Sequence, residues 1–308
     1  DYGAVFAKTL YELNGAKAPN GNRDGETNLG DLITDALVWG AKQNGETVDA
    51  AITNGGGIRA TIKAGDITKK DVNTVLPFGN TLSIVKVTGT ELLEALEAST
   101  YCTPDALGGF PQVSGIQFTI DTGKSYDAGA LYPDSTYHAP KSINRVTIQS
   151  VGGKAFDEKA VYTIATNDFM AAGGDTYYAF KAASANYNIG VPMDEVLMDY
   201  IKTELKGVVG ETYVKPQGRI TLTKTEAPAE EPAKPAEPAQ PSTPAQPAKP
   251  ADGDGGETSY TVVSGDCLWN IAYRHYGSGA KFTMIAEANG LKDPYLINIG
   301  QVLVIPAA

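Results

Sequence analysis

The stretch Asn54-Gly-Gly-Gly-Ile-Arg59 places three glycines and an arginine directly after a short apolar run. Glycine lets a backbone approach a ligand closely with its N–H groups exposed, and a guanidinium forks onto phosphate. Gly56, Gly57 and Arg59 are therefore candidate anion contacts, and Asn54 is a polar group beside them. Tight turns use the same glycines, so the assignment needs company. Two aromatics supply it: Phe78 in Pro77-Phe-Gly-Asn80, and Phe169 in Asp168-Phe-Met-Ala-Ala-Gly-Gly-Asp175. An aromatic flanked by Pro and Gly has a rigid, open setting for stacking on a flat ring, worth about 1–3 kcal/mol per base in nucleic-acid complexes. The competing reading is a core phenylalanine under a loop. Asp175, following Gly173 and Gly174, can accept from both hydroxyls of a ribose or close an Asx turn.

Other chemistries have little to work with. There are two histidines, His138 and His275, each isolated, and two cysteines, Cys102 and Cys267, far apart with no Cys-x-x-Cys spacing. No disulfide framework, zinc knuckle or histidine metal site is expected, so no catalytic residue and no metal ligand is assigned within these residues. The net charge of -11 argues against a nucleic-acid polymer as partner, because its phosphates require clustered Lys and Arg. No run of roughly 18 apolar residues occurs, so no membrane-spanning helix is expected. The first residues lack the features of a signal peptide and read as the interior of a longer chain or a processed product.

The elements that must hold these residues follow from periodicity. Leu29, Leu32, Ile33, Ala36 and Leu37 recur at helical spacing over 28–41, with Thr27 or Asn28 as cap. Thr68-Lys-Lys-Asp71 and Thr88-Gly-Thr-Glu91 have capping-box spacing, the second opening a helix through Leu92, Leu93 and Leu96. Strands are predicted at 49–53, 116–120, 146–151, 161–166 and 219–223, and one further helix at 194–205. Several strands lack crossover helices, which points to an α+β domain with a mixed sheet.

From Glu226 to Lys249 the composition shifts to Pro, Ala, Glu, Lys and Gln, with prolines at 228, 232, 235, 238, 241, 244, 247 and 250. This spacing forbids helix and favours polyproline II, at about 3.1 Å per residue, so 224–257 is read as a disordered, semi-rigid linker. Residues 258–308 then read as strand, two short helices and strand.

Taken together, Arg23-x-x-Glu-Thr-Asn-Leu-Gly30, Asn54-Gly-Gly-Gly-Ile-Arg59, Leu76-Pro-Phe-Gly-Asn-Thr81 and Ala172-Gly-Gly-Asp175 resemble the C-terminal, substrate-binding domain of the 5'-nucleotidase and UDP-sugar hydrolase family, over a domain spanning 1–223. The resemblance implies a base sandwich between Phe78 and Phe169, polar contacts from Asn54 and Asn80, ribose contact at Gly174-Asp175, and phosphates held by Arg23 and Arg59. It also implies a divalent metal pair in a separate N-terminal metallophosphatase domain, whose Asp-x-His and Gly-Asn-His motifs do not occur here. The residues present are thus expected to bind nucleotide and to hydrolyse none. Ala172 and Thr176 stand where the family usually has Asn and a Gly or Ala, which bears on fine substrate preference. Two rival readings share these motifs: a 2',3'-cyclic-nucleotide 2'-phosphodiesterase/3'-nucleotidase, and a non-catalytic wall-tethered nucleotide-binding protein.

Tyr260-Thr-Val-Val-Ser-Gly-Asp-Cys-Leu-Trp-Asn-Ile-Ala272, with Ala286-x-Ala-Asn289 and Gly300-Gln-Val-Leu-Val-Ile-Pro306, resembles a LysM domain. That resemblance implies binding of peptidoglycan or another N-acetylglucosamine-containing glycan between Gly265, Asp266, Cys267 and Leu268 on one side and Pro294, Leu296 and Ile297 on the other. Cys267 stands in the usual Thr position, so one hydroxyl contact is lost. The expected whole is a secreted, wall-associated phosphohydrolase portion.

Overall fold

The computed structural model describes residues 2–226, 258–262, 266–276, 281–291, 297–298 and 300–307. The predicted linker lies almost wholly outside them. The chain divides into two compact units, Asp1–Lys224 and Thr225–Ala308.

The first unit runs β1 (Val5–Thr9), α1 (Asn28–Gln43), β2 (Ala50–Asn54), β3 (Gly65–Thr68), α2 (Lys69–Val75), β4 (Thr81–Thr88), α3 (Gly89–Ser99), β5 (Pro111–Ser114), β6 (Ile116–Asp121), β7 (Ala128–Leu131), β8 (His138–Pro140), β9 (Val146–Val151), β10 (Lys154–Ala155), β11 (Val161–Asn167), α4 (Asp168–Ala171), α5 (Tyr178–Lys181), β12 (Ala185–Pro192), α6 (Met193–Asp199), β13 (Val208–Val209) and β14 (Ile220–Thr223). Its centre is a five-stranded mixed sheet in the order β12-β4-β11-β2-β5. Within it β11 and β2 are parallel, whereas β4 and β5 run against their neighbours.

Both faces of the strands inside the β12 edge are buried. Ala51, Leu82, Ile84 and Ala165 point into a core shared with α1, α2 and α6, while Ala50, Ile52, Val85, Val87 and Ile164 point into a second core shared with α3 and with the four-stranded sheet β10-β9-β6-β14. A strand buried on both faces reads as a continuous apolar run without polar alternation. α1 begins where Thr27 accepts a hydrogen bond from the Gly30 N–H at 3.0 Å. Its Leu29, Leu32, Ile33 and Leu37 are fully buried, each contributing about 1.5–3 kcal/mol. Both predicted capping boxes form, with Thr68 and Asp71 opening α2 and Thr88 and Glu91 opening α3.

The helix predicted over 194–205 is corrected. The α-helix ends at Asp199, and Tyr200–Glu204 widens into a π-turn. There Tyr200 packs on Trp39 and its hydroxyl meets that of Tyr213 at 2.9 Å, contacts that periodicity cannot report.

The second unit contains β15 (Thr258–Thr261), α7 (Leu268–Tyr276), α8 (Phe282–Ala288) and β16 (Val302–Ile305), with β15 and β16 antiparallel. Leu268, Ile271, Ala272, Ile285, Ala286, Leu303 and Ile305 form its own core. The α+β class and the strand–helix–helix–strand order match expectation.

Candidate functional site

One edge of the five-stranded sheet gathers the chemistry. β2 ends there at Asn54, opposite Pro111; β11 ends at Asn167, opposite Leu82; and Thr81, which opens β4, lies opposite Pro192 at the end of β12. Ligands commonly lie beyond the carboxyl ends of parallel strands, here β2 and β11. The two segments carrying the aromatics leave from adjacent strands and are tied together, since the Thr81 N–H donates to Asp168 Oδ1 at 3.2 Å. Phe78 and Phe169 are 60% and 43% exposed, an unusual state for phenylalanine next to two large cores. No ring contact joins them.

Each ring has a support. The Arg59 guanidinium lies over Phe78 at 5.6 Å from the ring centroid. Arg59 Nη1 also donates to the Gly56 carbonyl at 3.2 Å. The Phe169 ring lies on Gly174, where a Cβ would come within 2.5 Å of it. Gly174 is thus a glycine because the ring occupies the space of a side chain.

Asp175 sits in the left-handed region at φ 52°. Its Oδ2 accepts from Asn54 Nδ2 at 3.1 Å, and Asn54 Oδ1 accepts in turn from Asn167 Nδ2 at 3.0 Å. Asn167 also donates to Thr53 Oγ1 at 3.1 Å and accepts from the Met170 N–H at 2.8 Å, capping α4. Burial pushes the Asp175 carboxyl above its ordinary value, opposed by the Asn54 hydrogen bond and the Arg23 charge. Arg23 is therefore on the Asp175 side of the site. The Asn54 carboxamide donates to Asp175 and accepts from Asn167, and so orients the Asp175 carboxyl.

The first two glycines of the run are held by backbone packing. Gly55–Gly57 form a 3-10 turn, and none of the three has positive φ. The Gly55 N–H donates to the Phe110 carbonyl and the Gly56 N–H to the Gly108 carbonyl, both at 2.7 Å, so these amides do not cradle an anion. A Cβ would lie 1.7 Å from the Asn22 carbonyl oxygen at Gly55 and 2.9 Å from the Gly108 oxygen at Gly56. Close backbone packing demands glycine.

Beneath Phe78 lies a shallow, open cleft lined by Thr53, Gly57, Leu76, Phe78, Asn80, Asn167, Met193 and Asp194. Gly57, Phe78 and Asn80 were legible in the sequence. Thr53, Leu76, Asn167, Met193 and Asp194 were not, although Leu76 and Asn167 lie within three residues of the two phenylalanines.

Among the described residues no group of three or more His, Cys, Asp or Glu side chains could hold a metal ion. His138 is engaged with the Gly129 carbonyl through Nδ1 at 2.8 Å. The donor set present does not fit a divalent metal pair.

In the second unit, Asp266 Oδ2 accepts from the Tyr260 hydroxyl at 2.7 Å. The Cys267 carbonyl accepts from the Ile271 N–H at 3.0 Å. Leu268 is 4% exposed: its side chain packs in the core, which leaves its backbone for any glycan contact. Ile297 is half-buried against that core. Gly265, Pro294 and Leu296 lie outside the described residues.

Residues 7–182 match the family model of the 5'-nucleotidase C-terminal domain. The chain belongs to this family. Residues 260–306 match the LysM domain. This nucleotidase C-terminal domain is 37% identical over 200 residues to the trifunctional nucleotide phosphoesterase protein YfkN of Bacillus subtilis, an alignment covering 64% of the chain and 12% of that protein. It is 35% identical over 187 residues to the cell wall protein Lmo0130 of Listeria monocytogenes, covering 59% and 22%. The solved 5'-nucleotidase precursor of Thermus thermophilus superposes with a TM-score of 0.59 at 34% identity, covering 71% of the chain and 39% of that structure. The chain thus spans well under half the length of each of these relatives.

Proposed function

We propose that this chain is the nucleotide-recognising portion of a nucleotidase-type phosphohydrolase, joined to a glycan-binding module that holds it at a cell wall outside the cell. The observation that carries the reading is the convergence of two exposed phenylalanines and the oriented carboxyl of Asp175 on one sheet edge. In this reading the base stacks on Phe78 and Phe169, and the ribose hydroxyls donate to Asp175. The phosphates point toward Arg59 and Arg23, whose charges favour them. The divalent metal pair implied by the family would polarise the phosphate and activate water from another domain; nothing in the donor set here supplies that chemistry. Membership of the LysM family and likeness to a cell wall protein support the location.

The test is calorimetry with AMP on the whole chain. Phe78→Ala and Phe169→Ala should each weaken binding by about 1–3 kcal/mol, the value of a stacked base. Unchanged affinity in both variants would sink the proposal.

A further inference from the structure

The cleft beneath Phe78 contains a carboxylate for which stacking, ribose contact and phosphate capture provide no use. Asp194, the second residue of α6, has its Oδ2 held by Asn73 Nδ2 from α2. Its Oδ1 makes no hydrogen bond among the described residues. The Asn80 carboxamide makes none either, while its carbonyl is fixed by the Met193 N–H at 2.9 Å. The remaining polar side chains of the cleft are engaged, since Asn167 and Thr53 bond each other and Asn167 caps α4. Leu76 and Met193 are buried apolar liners.

This cleft offers a flat ligand an apolar bed, one acceptor-only oxygen and one amide that can donate or accept. A carboxylate there repels a phosphate and matches an N–H at the rim of an uncharged ring. We infer that Asp194 is a specificity-determining residue that selects adenine, by its 6-amino group, and cytosine, by its 4-amino group, over their keto counterparts hypoxanthine and uracil. The inference rests on the reading above that Phe78 stacks the base. With adenine, Asp194 Oδ1 accepts from the exocyclic amine and Asn80 Nδ2 donates to the adjacent ring nitrogen. With hypoxanthine the amine is replaced by an oxygen and the adjacent ring nitrogen carries a hydrogen; in the same pose the oxygen meets the carboxylate lone pair to lone pair and the N–H faces the Asn80 donor, so a site built for the amine rejects the analogue lacking it.

The experiment titrates the whole chain with AMP, IMP, CMP and UMP by calorimetry, for the parent and for Asp194→Asn, with thermal unfolding to confirm the fold. The parent should bind AMP over IMP, and CMP over UMP, by roughly tenfold, the effect of one hydrogen bond to a charged group. In Asp194→Asn both ratios should fall toward one, because an amide can face either an amine or a carbonyl. Equal affinities in the parent, or ratios that survive in Asp194→Asn, overturn the inference. Phe78→Ala separates it from the stacking reading. If that variant weakens all four nucleotides while the parent shows ratios of one, stacking stands and Asp194 alone is misassigned. If it weakens none, both fail.

Discussion

Asp175 carries opposing demands. Burial raises its pKa from 3.8, so the ionised form that best accepts from a ribose costs the folded state free energy, and the Asn54 hydrogen bond and Arg23 charge recover only part of it. The sign follows directly: a carboxyl with a raised folded pKa adds stability below about 3.8 and loses it as pH rises through the raised value. Asp175→Asn keeps an acceptor for Asn54 and removes the ionisation. At pH 7 this variant should melt no lower than the parent, and its advantage should vanish near pH 3.8. Its affinity for AMP should drop about tenfold, in line with lost hydrogen bonds to a charged group. A lower melting temperature at pH 7, or undiminished affinity, would contradict this account. The pairing of Gly173-Gly174-Asp175 was legible because glycines before an acid signal a special backbone. The Gly56 amide escaped for a physical reason: a glycine demanded by a neighbouring carbonyl and one demanded by a ligand look identical in sequence.

α1 crosses α6 at Gly40, and that crossing positions the cleft through Met193 and Asp194. Inside a helix Gly→Ala ordinarily adds about 1 kcal/mol. Here the new Cβ would lie 2.6 Å from Cγ1 of Val196, which is 3% exposed and stiff at its branched carbon. Overpacking of this kind costs about 1–3 kcal/mol, so Gly40→Ala should lower stability in urea denaturation and weaken AMP binding as α6 shifts. Adding Val196→Ala should restore both, with a favourable coupling in the double-mutant cycle. A plain gain in stability from Gly40→Ala would show that the helices are free to separate. The elements themselves divide by how local their causes are. Capping boxes at Thr68 and Thr88 and the stripe of α1 depend on neighbours within four residues, and the sequence revealed them. β4, interrupted by Ser83 and Lys86, and β5, Pro111-Gln-Val-Ser, show neither a continuous apolar run nor alternation, and β1 and β3 are short strands of mixed polarity. The cleft depends on β4 pairing with β11 at Leu82 and Asn167, 85 positions apart in sequence, and no local pattern encodes that register.

At the scale of the molecule, each unit has its own hydrophobic core, with Leu303 and Ile305 of β16 closing the smaller one against α7 and α8. At Glu226 the composition changes to repeated proline with few apolar side chains, which is the sequence's reason for reading a linker there. Two cores formed from separate stretches of chain fold independently, so the two proposed binding activities should respond separately to deletion. Removing residues 258–308 from the chain should abolish retention on insoluble peptidoglycan in a sedimentation assay. It should leave the AMP affinity within about twofold, since no residue of the proposed nucleotide site lies beyond Asp194 and distant sites act additively. Retained sedimentation would move wall binding to the first unit. A large loss of AMP affinity would mean that the second unit contributes to the nucleotide site. Within the smaller unit, Cys267→Thr puts a hydroxyl beside Asp266, whose carboxylate is already oriented by Tyr260. The added donor and acceptor should tighten binding of chitin oligosaccharides several-fold, the scale of a single net hydrogen bond. Unchanged affinity would show that this position does not touch the sugar.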